Sequence, residues 1–228
     1  MHKQKGYGQF CPVAKAAEIV AERWTLLVLR ELMCGSTRFN ELRKGVPLMS
    51  PSLLSKRLVQ LQDAGLVERR DADSGPEYHL TESGHAMHPI VVALGNWGHR
   101  YVQHNIQADD LDPALLMWDV RRGVDRSAFP AARRTVVRFD LAGVAASARR
   151  RWWLVFDNDD VDLCLRDPGH DIDLNVYAAL RDLTEVWIGH QTLRNALSNK
   201  AIRLEGASPF VLGFSHWFAL SPFASAPR

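Results

Sequence analysis

The first apolar stripe, Val13, Ala16, Ala17 and Val20, falls at i, i+3, i+4 and i+7, one face of a helix. Cys11-Pro12 marks its start, because proline is tolerated best in the first turn, where its missing N–H has no intrahelical partner. From Trp24 to Met33 the chain is apolar nearly all round (Leu26, Leu27, Val28, Leu29, Leu32), which predicts a helix at the centre of a core. Gly35 ends it, Ser36 or Thr37 can cap the next element, and Cys34 is expected inside. Phe39, Leu42 and Val46 predict a short helix closed by Gly45 and Pro47. Ser50-Pro51 opens a further helix, with serine at N-cap and proline at N1. Its buried stripe is Leu54, Leu58 and Leu61; the opposite face holds Ser52, Ser55, Lys56, Val59 and Gln60, with Arg57 at the margin.

That face is short, polar and positive, with no acid before Asp63. Small hydroxyls let a helix approach a phosphate backbone, and Lys, Arg and Gln reach phosphates or base edges. A merely solvated face has the same composition. Next, two short strands ending in Glu68-Arg69-Arg70 and spanning Glu77 to Thr81 flank a turn-rich loop over 71–76, a β-hairpin. Thr81 caps another helix. Helix, turn, basic-faced helix and hairpin together predict a winged helix-turn-helix, whose second helix enters the major groove. Arg69 and Arg70 then either grip the adjacent backbone or are plain surface charges. Beyond the hairpin, Met87, Ile90, Val91, Leu94, Trp97, Gly98 and Tyr101 form a long apolar stripe on a helix that Pro89 should kink. A two-fold partner would cover it; so would the second half of the chain.

His104 to Pro113 is polar and acidic, and after it helical spacing gives way to period-two alternation. The expected division is a domain over 1–104, a linker over 105–112 and a second domain over 113–228. Val137, Phe139 and Leu141 alternate with Val136, Arg138 and Asp140, and Trp152, Leu154 and Phe156 with Trp153 and Val155. After a turn at 157–160, Val161, Leu163 and Leu165 alternate with Asp162, Cys164 and Arg166. These predict antiparallel strands with one face buried. Leu174, Tyr177, Ala178 and Arg181 predict a helix, Thr184 to Gly189 a second and Gln191 to Asn199 a third, followed by a strand at Ile202 and Leu204. The uncharged aromatic tail from Pro209 to Leu220 must be buried. The fold class is thus a mainly-α winged helix-turn-helix followed by an α+β domain, an antiparallel sheet covered by helices. Trp152, Leu154, Phe156, Trp187, Phe210, Phe214 and Trp217 either line an apolar cavity for a hydrophobic small molecule or fill a core.

Composition narrows the function. With 46% hydrophobic and 24% charged residues in 228, collagen-like, disordered and coiled-coil readings fall away. No run approaches the roughly 18 apolar residues of a membrane span, and no apolar segment follows Met1 to Lys5, so neither a membrane protein nor a secretory leader is expected and the chain reads as cytoplasmic. Three scattered cysteines exclude a disulfide framework and a CxxC zinc site. Residues 1–104 carry 13 basic against 10 acidic side chains and the remainder 15 against 16, a mild asymmetry that permits nucleic-acid binding. His85 and His88 stand at i, i+3 without a cysteine or carboxylate to complete a metal set, and with His99 and His104 read as structural or surface histidines. The acidic run from Asp157 lacks the glycine and glutamate of a calcium loop. Gly213-Phe214-Ser215-His216-Trp217 lacks the second glycine of a nucleophile elbow, and there is no phosphate loop, dinucleotide fingerprint or HExxH. Neither an enzyme nor a cofactor is expected.

Five motifs in order, Phe10-Cys11-Pro12-Val13, Arg23-Trp24-Thr25-Leu26-Leu27, Arg38-Phe39-Asn40-Glu41-Leu42, Leu54-Ser55-Lys56-Arg57-Leu58 through Leu66-Val67-Glu68-Arg69, and Leu80-Thr81-Glu82-Ser83-Gly84, resemble the HxlR-type winged-helix transcriptional regulators of bacteria. The resemblance covers residues 7 to 103 and implies a homodimer that binds double-stranded operator DNA. The expected DNA contacts are Arg38, Ser52, Ser55, Lys56, Arg57, Gln60, Arg69 and Arg70, and the expected dimer contacts Met87, Ile90, Val91, Leu94, Trp97 and Tyr101. Some relatives respond to oxidants, and Cys11, at the positive end of a helix dipole, stands where those carry a reactive cysteine; the other reading is an inert thiol. Residues 135 to 206, with Asp162-Leu163-Cys164-Leu165, Val186-Trp187-Ile188-Gly189 and Ala201 to Gly206, are similar to the sterol-carrier-protein-like domain. That implies a five-stranded sheet, helices on one face and an apolar tunnel. Two functions follow: a regulator modulated by a hydrophobic effector, or a lipid or small-molecule-binding protein whose winged helix makes protein contacts only.

Overall fold

In the computed structural model of the chain, which describes residues 6–102, 106–129, 133–157 and 160–225, the first element is α1 (Pro12–Val20). It begins at the proline, but none of its residues is buried. Two compact units, Met1–Gly95 and Asn96–Arg228, make up the chain.

The first unit continues with α2 (Thr25–Met33), α3 (Phe39–Gly45) and α4 (Pro51–Asp63). Val28 and Leu29 of α2, Leu42 of α3 and Leu54, Leu58 and Leu61 of α4 meet in one core. Ser50 caps α4, its Oγ accepting from the Leu53 N–H at 3.3 Å. Neither Ser36 nor Thr37 caps α3; Arg38 is the N-cap residue, and Glu41 reaches back to accept from the Thr37 and Arg38 N–H groups, 3.1 Å each. Cys34 is exposed rather than in the core, because α2 ends at Met33 and the chain turns outward.

The hairpin is β1 (Val67–Ala72) paired antiparallel with β2 (Gly75–Leu80) about the turn at Asp73-Ser74. It is tied to the start of α3 by the Tyr78 N–H, which donates to the Thr37 carbonyl at 2.7 Å. Then come α5 (Glu82–Ala86) and α6 (His88–Tyr101). The single kinked helix expected here is two helices, broken at Met87. Proline removes one backbone donor and clashes with the preceding turn, so Pro89 sits in the first turn of α6 and not in a helix interior.

The second unit begins within α6 and continues with α7 (Pro113–Gly123), absent from the sequence expectation although Asp112-Pro113 signals it. Asp112 Oδ1 accepts from the Ala114 and Leu115 N–H groups. Ahead of α7, Ile106 is buried and its carbonyl accepts from Arg181. The sheet has the order β5-β4-β3-β6-β7, from β3 (Thr135–Ala142), β4 (Arg151–Asp157), β5 (Asp160–Cys164), β6 (Leu174–Ala179) and β7 (Ile202–Gly206).

Three expectations for this sheet are corrected. Residues 174–179 are a strand, not the start of a helix. Leu174, Val176 and Ala178 are buried while Asn175, Tyr177 and Ala179 between them are half-buried, so the helical spacing of 174, 177, 178 and 181 was coincidental. The sheet is mixed, because β6 runs parallel to β3, Val137 beside Leu174 through Ala142 beside Ala179. And β3 and β4 are buried on both faces: behind the main core, Val136, Trp153 and Val155 form a second cluster, with Ile172 of the connection between β5 and β6 packed on it.

Helices α8 (Leu180–Trp187), α9 (Leu193–Ser198) and α10 (Ser208–Trp217) complete the unit. The aromatic tail is α10, whose Phe210, Phe214 and Trp217 are buried in the main core. His104 and Asn105, and Asn158 and Asp159 of the hairpin tip, lie outside the described residues. Among the described residues no helix is long and apolar enough to cross a membrane.

Candidate nucleic-acid interface

On α4 the buried leucines fix which side faces outward. Ser52, Ser55, Lys56 and Val59 are exposed, and Gln60 is half-buried beside them. The Ser50 and Ser52 hydroxyls lie 3.2 Å apart at the mouth of the helix, whose first-turn N–H groups favour an anion. Lys56 is the one exposed cation of this helix face.

Arg57 does not join that face. Its side chain is 6% exposed, and its guanidinium points inward to Glu22 Oε2 (3.3 Å), the Arg23 carbonyl (3.1 Å) and Gln60 Oε1 (2.8 Å). One turn from Leu54 and next to Leu58, it lies on the inner margin of the helix. Arg38 is half-exposed but reaches the hairpin, donating to Ser74 Oγ at 2.5 Å and lying 3.5 Å from Glu77 Oε1. Arg57 thus acts first on the fold around α4, and Arg38 on the link between α3 and the hairpin.

The hairpin supplies less positive charge than its two arginines suggest. Arg69 is paired with Asp71 at 2.9 Å and Arg70 with Glu68, while Asp73 and Glu77 add further acids. At its base a recess of about 220 Å³ is lined by Leu32, Thr37, Arg70, Tyr78 and the two histidines His79 and His85, among others. Exposed cations that the sequence reading missed are Arg43 and Lys44, in the last turn of α3 just before the turn into α4, and Arg23 beside Trp24. A basic last turn is a signal in itself, but it is also what any helix C-terminus favours.

On α6 Ile90, Leu94, Trp97 and Tyr101 of the predicted stripe are about half exposed and Val91 is partly buried, as is Met87 just before the helix. Val13 of α1 and Phe10, two residues ahead of that helix, are also largely exposed. Cys11 precedes Pro12, and the backbone N–H groups of Ala14 and Val13 hold its thiol below the usual range.

The seven side chains considered for an apolar cavity come together, as packed core. Trp152, Leu154, Phe156, Phe210, Phe214 and Trp217 are buried and Trp187 packs against them. Phe129 stacks on Phe156 at 3.8 Å, and Trp217 meets Phe214 edge-on at 4.8 Å. Trp152 Nε1 donates to the Arg149 carbonyl, whereas the buried Trp217 Nε1 has no acceptor among the described residues.

Residues 19–106 match the HxlR-like helix-turn-helix family. The uncharacterized HTH-type transcriptional regulator Rv3095 of Mycobacterium tuberculosis is 37% identical over 117 residues, covering 46% of this chain and 73% of that one. The uncharacterized HTH-type transcriptional regulator YvaP of Bacillus subtilis is 35% identical over 98 residues, covering 41% of this chain and 91% of its own. The solved reduced form of the transcriptional regulator YodB from B. subtilis is 27% identical, with a TM-score of 0.38, over 43% of this chain and all of that one.

Proposed function

This chain belongs to the HxlR-like helix-turn-helix family, and from that premise we propose that it is a transcriptional regulator that binds operator DNA as a homodimer. Residues 1–104 bind DNA and dimerise, and residues 113–228 form a sterol-carrier-protein-like domain. One observation carries the reading: the outer face of α4 pairs exposed Ser52, Ser55 and Lys56 with a fully buried leucine stripe, so the helix is held firmly with its short polar side outward. Ser52 and Ser55 allow the close approach, Lys56 takes a phosphate, and Gln60 reaches from the edge of the face. Arg69 and Arg70 reach the flanking backbone with their charge partly offset by Asp71 and Glu68. The apolar stripe of α6 is the dimer contact.

The test is fluorescence anisotropy on a duplex that the wild-type chain selects from a randomised library. Lys56→Ala should weaken binding across sequences and lower the slope of log affinity against log salt by about one, as expected for one lost phosphate contact. A variant with unchanged affinity and slope removes α4 from the groove.

For the second domain the proposal includes an apolar effector between sheet and helices. It is supported by the mixed five-stranded sheet with helices α7, α8 and α10 on its main core, and by the Trp217 indole N–H, buried with no acceptor among the described residues. Entry requires displacement of at least one aromatic ring, because these rings fill the space between them. Native mass spectrometry of the purified chain reads both parts: a two-chain mass, and any retained apolar ligand. A ligand-free spectrum that no added fatty acid or sterol alters discards the effector and leaves the DNA reading intact.

A further inference from the structure

The guanidinium of Arg57 bridges parts of the first unit that are far apart in sequence. Gln60 lies one turn along α4, but Glu22 and Arg23 belong to the turn between α1 and α2. Resting on the DNA-binding reading above, we propose that Arg57 is the positioning residue of the groove helix: it fastens α4 to the α1–α2 turn and fixes Gln60 as a donor toward the duplex.

The turn needs fastening. Trp24, directly after Arg23, has φ 79°, a left-handed conformation that a tryptophan keeps only where its surroundings hold it. Arg57 binds the carbonyl just before it, and the Arg23 side chain lies over the Trp24 ring at 5.2 Å. The link is specific to arginine, since a planar fork of donors serves several acceptors at once and a lysine ammonium presents no such fork. With Arg57 nearly inaccessible to water, losing Glu22 would leave a buried cation short of its counter-charge.

The polarity of Gln60 follows from donor chemistry. A guanidinium has no acceptor, so the amide must turn its oxygen to Arg57 and its NH₂ away. An amide held this way offers only donors. It suits phosphate oxygens, guanine O6 and N7 or thymine O4, and is unfit for the paired donor and acceptor contact with adenine.

The experiment uses the full chain and the duplex selected by the wild type, over a salt series, with hydrogen exchange on the free protein. Arg57→Met and Glu22→Gln should each weaken binding about tenfold with the salt slope unchanged, the scale of one well-placed recognition contact. The double variant should be no weaker than Arg57→Met alone, and Arg57→Lys should not restore binding. Glu22→Gln is the decisive variant, because removing an acid near DNA strengthens binding if charge alone matters. In both single variants the amides of residues 21–24 should exchange faster. Gln60→Glu, which keeps the acceptor toward Arg57 but replaces the outward donors, should also weaken binding.

A salt slope lowered by about one in Arg57→Met, with Glu22→Gln binding as well as wild type or better, makes Arg57 a direct phosphate contact and overturns the proposal. Wild-type affinity in both variants overturns it too, and unchanged affinity in Gln60→Glu removes the donor role. If Arg57→Met does not fold, the partly exposed Glu22→Gln decides alone. If the wild type selects no duplex, the DNA reading has failed, and the exchange rates still report whether Arg57 holds the turn.

Discussion

A Cβ on Gly84 would stand 2.1 Å from the Leu66 carbonyl oxygen. Thr81 sets up this approach: its hydroxyl accepts from the Gly84 N–H and donates to the Gly65 carbonyl at 2.6 Å, clamping the base of the hairpin to the first turn of α5. The Thr-x-x-Gly motif was legible as a cap; that its glycine is a packing requirement was not, because Leu66 is brought there by the hairpin. Gly84→Ala should destabilise the chain by about 1–3 kcal/mol, the cost of overpacking against a rigid neighbour, measured by chemical denaturation. Asp140 invites a pH measurement. Burial pushes its carboxyl up, but hydrogen bonds from Arg150 and Arg151 outweigh that and leave it below its ordinary value of 3.8. A folded-state value below the unfolded one means stability that is present above about pH 4 and lost as pH falls through the lowered value. Thermal melts of Asp140→Asn should therefore show a shallower loss toward acid than wild type; parallel curves would remove the pair as a pH-dependent contributor.

Among the elements, α4 was the most legible, since cap, proline and leucine spacing all lie within one stretch of chain. Its individual side chains were less so. Lys56 and Arg57 are neighbours in sequence, yet 100° of helical rotation exposes one and buries the other, and Arg57's acceptors Glu22 and Arg23 lie outside any local window. β6 failed as a sequence reading for a related reason: six residues fit either period, and only the partner strands β3 and β7 decide. For α6 the exposed apolar side chains give the proposed dimer contact a direct test. Trp97→Asp places a charge in the middle of the stripe and should shift sedimentation from a two-chain to a one-chain species without lowering the melting temperature of the monomer. A two-chain species in this variant would move the dimer contact elsewhere.

At the scale of the whole molecule, the first unit was readable because most of its contacts join adjacent elements, with capping and breaking residues at each boundary. The sheet unit was readable only as strands and an aromatic load; its order and direction depend on the connection over 165–173, which carries the chain past β4 and β3 and leaves no periodic mark. That topology also sets an order of events during synthesis. β3, β4 and β5 are neighbours that can form a meander as they emerge, but the other edge of β3 stays open until residue 179 has left the ribosome, and α10, which closes the core, comes later still. The first unit is therefore complete on the nascent chain while the second still exposes an unpaired strand edge, so truncation during translation leaves a folded first unit attached to an aggregation-prone stub.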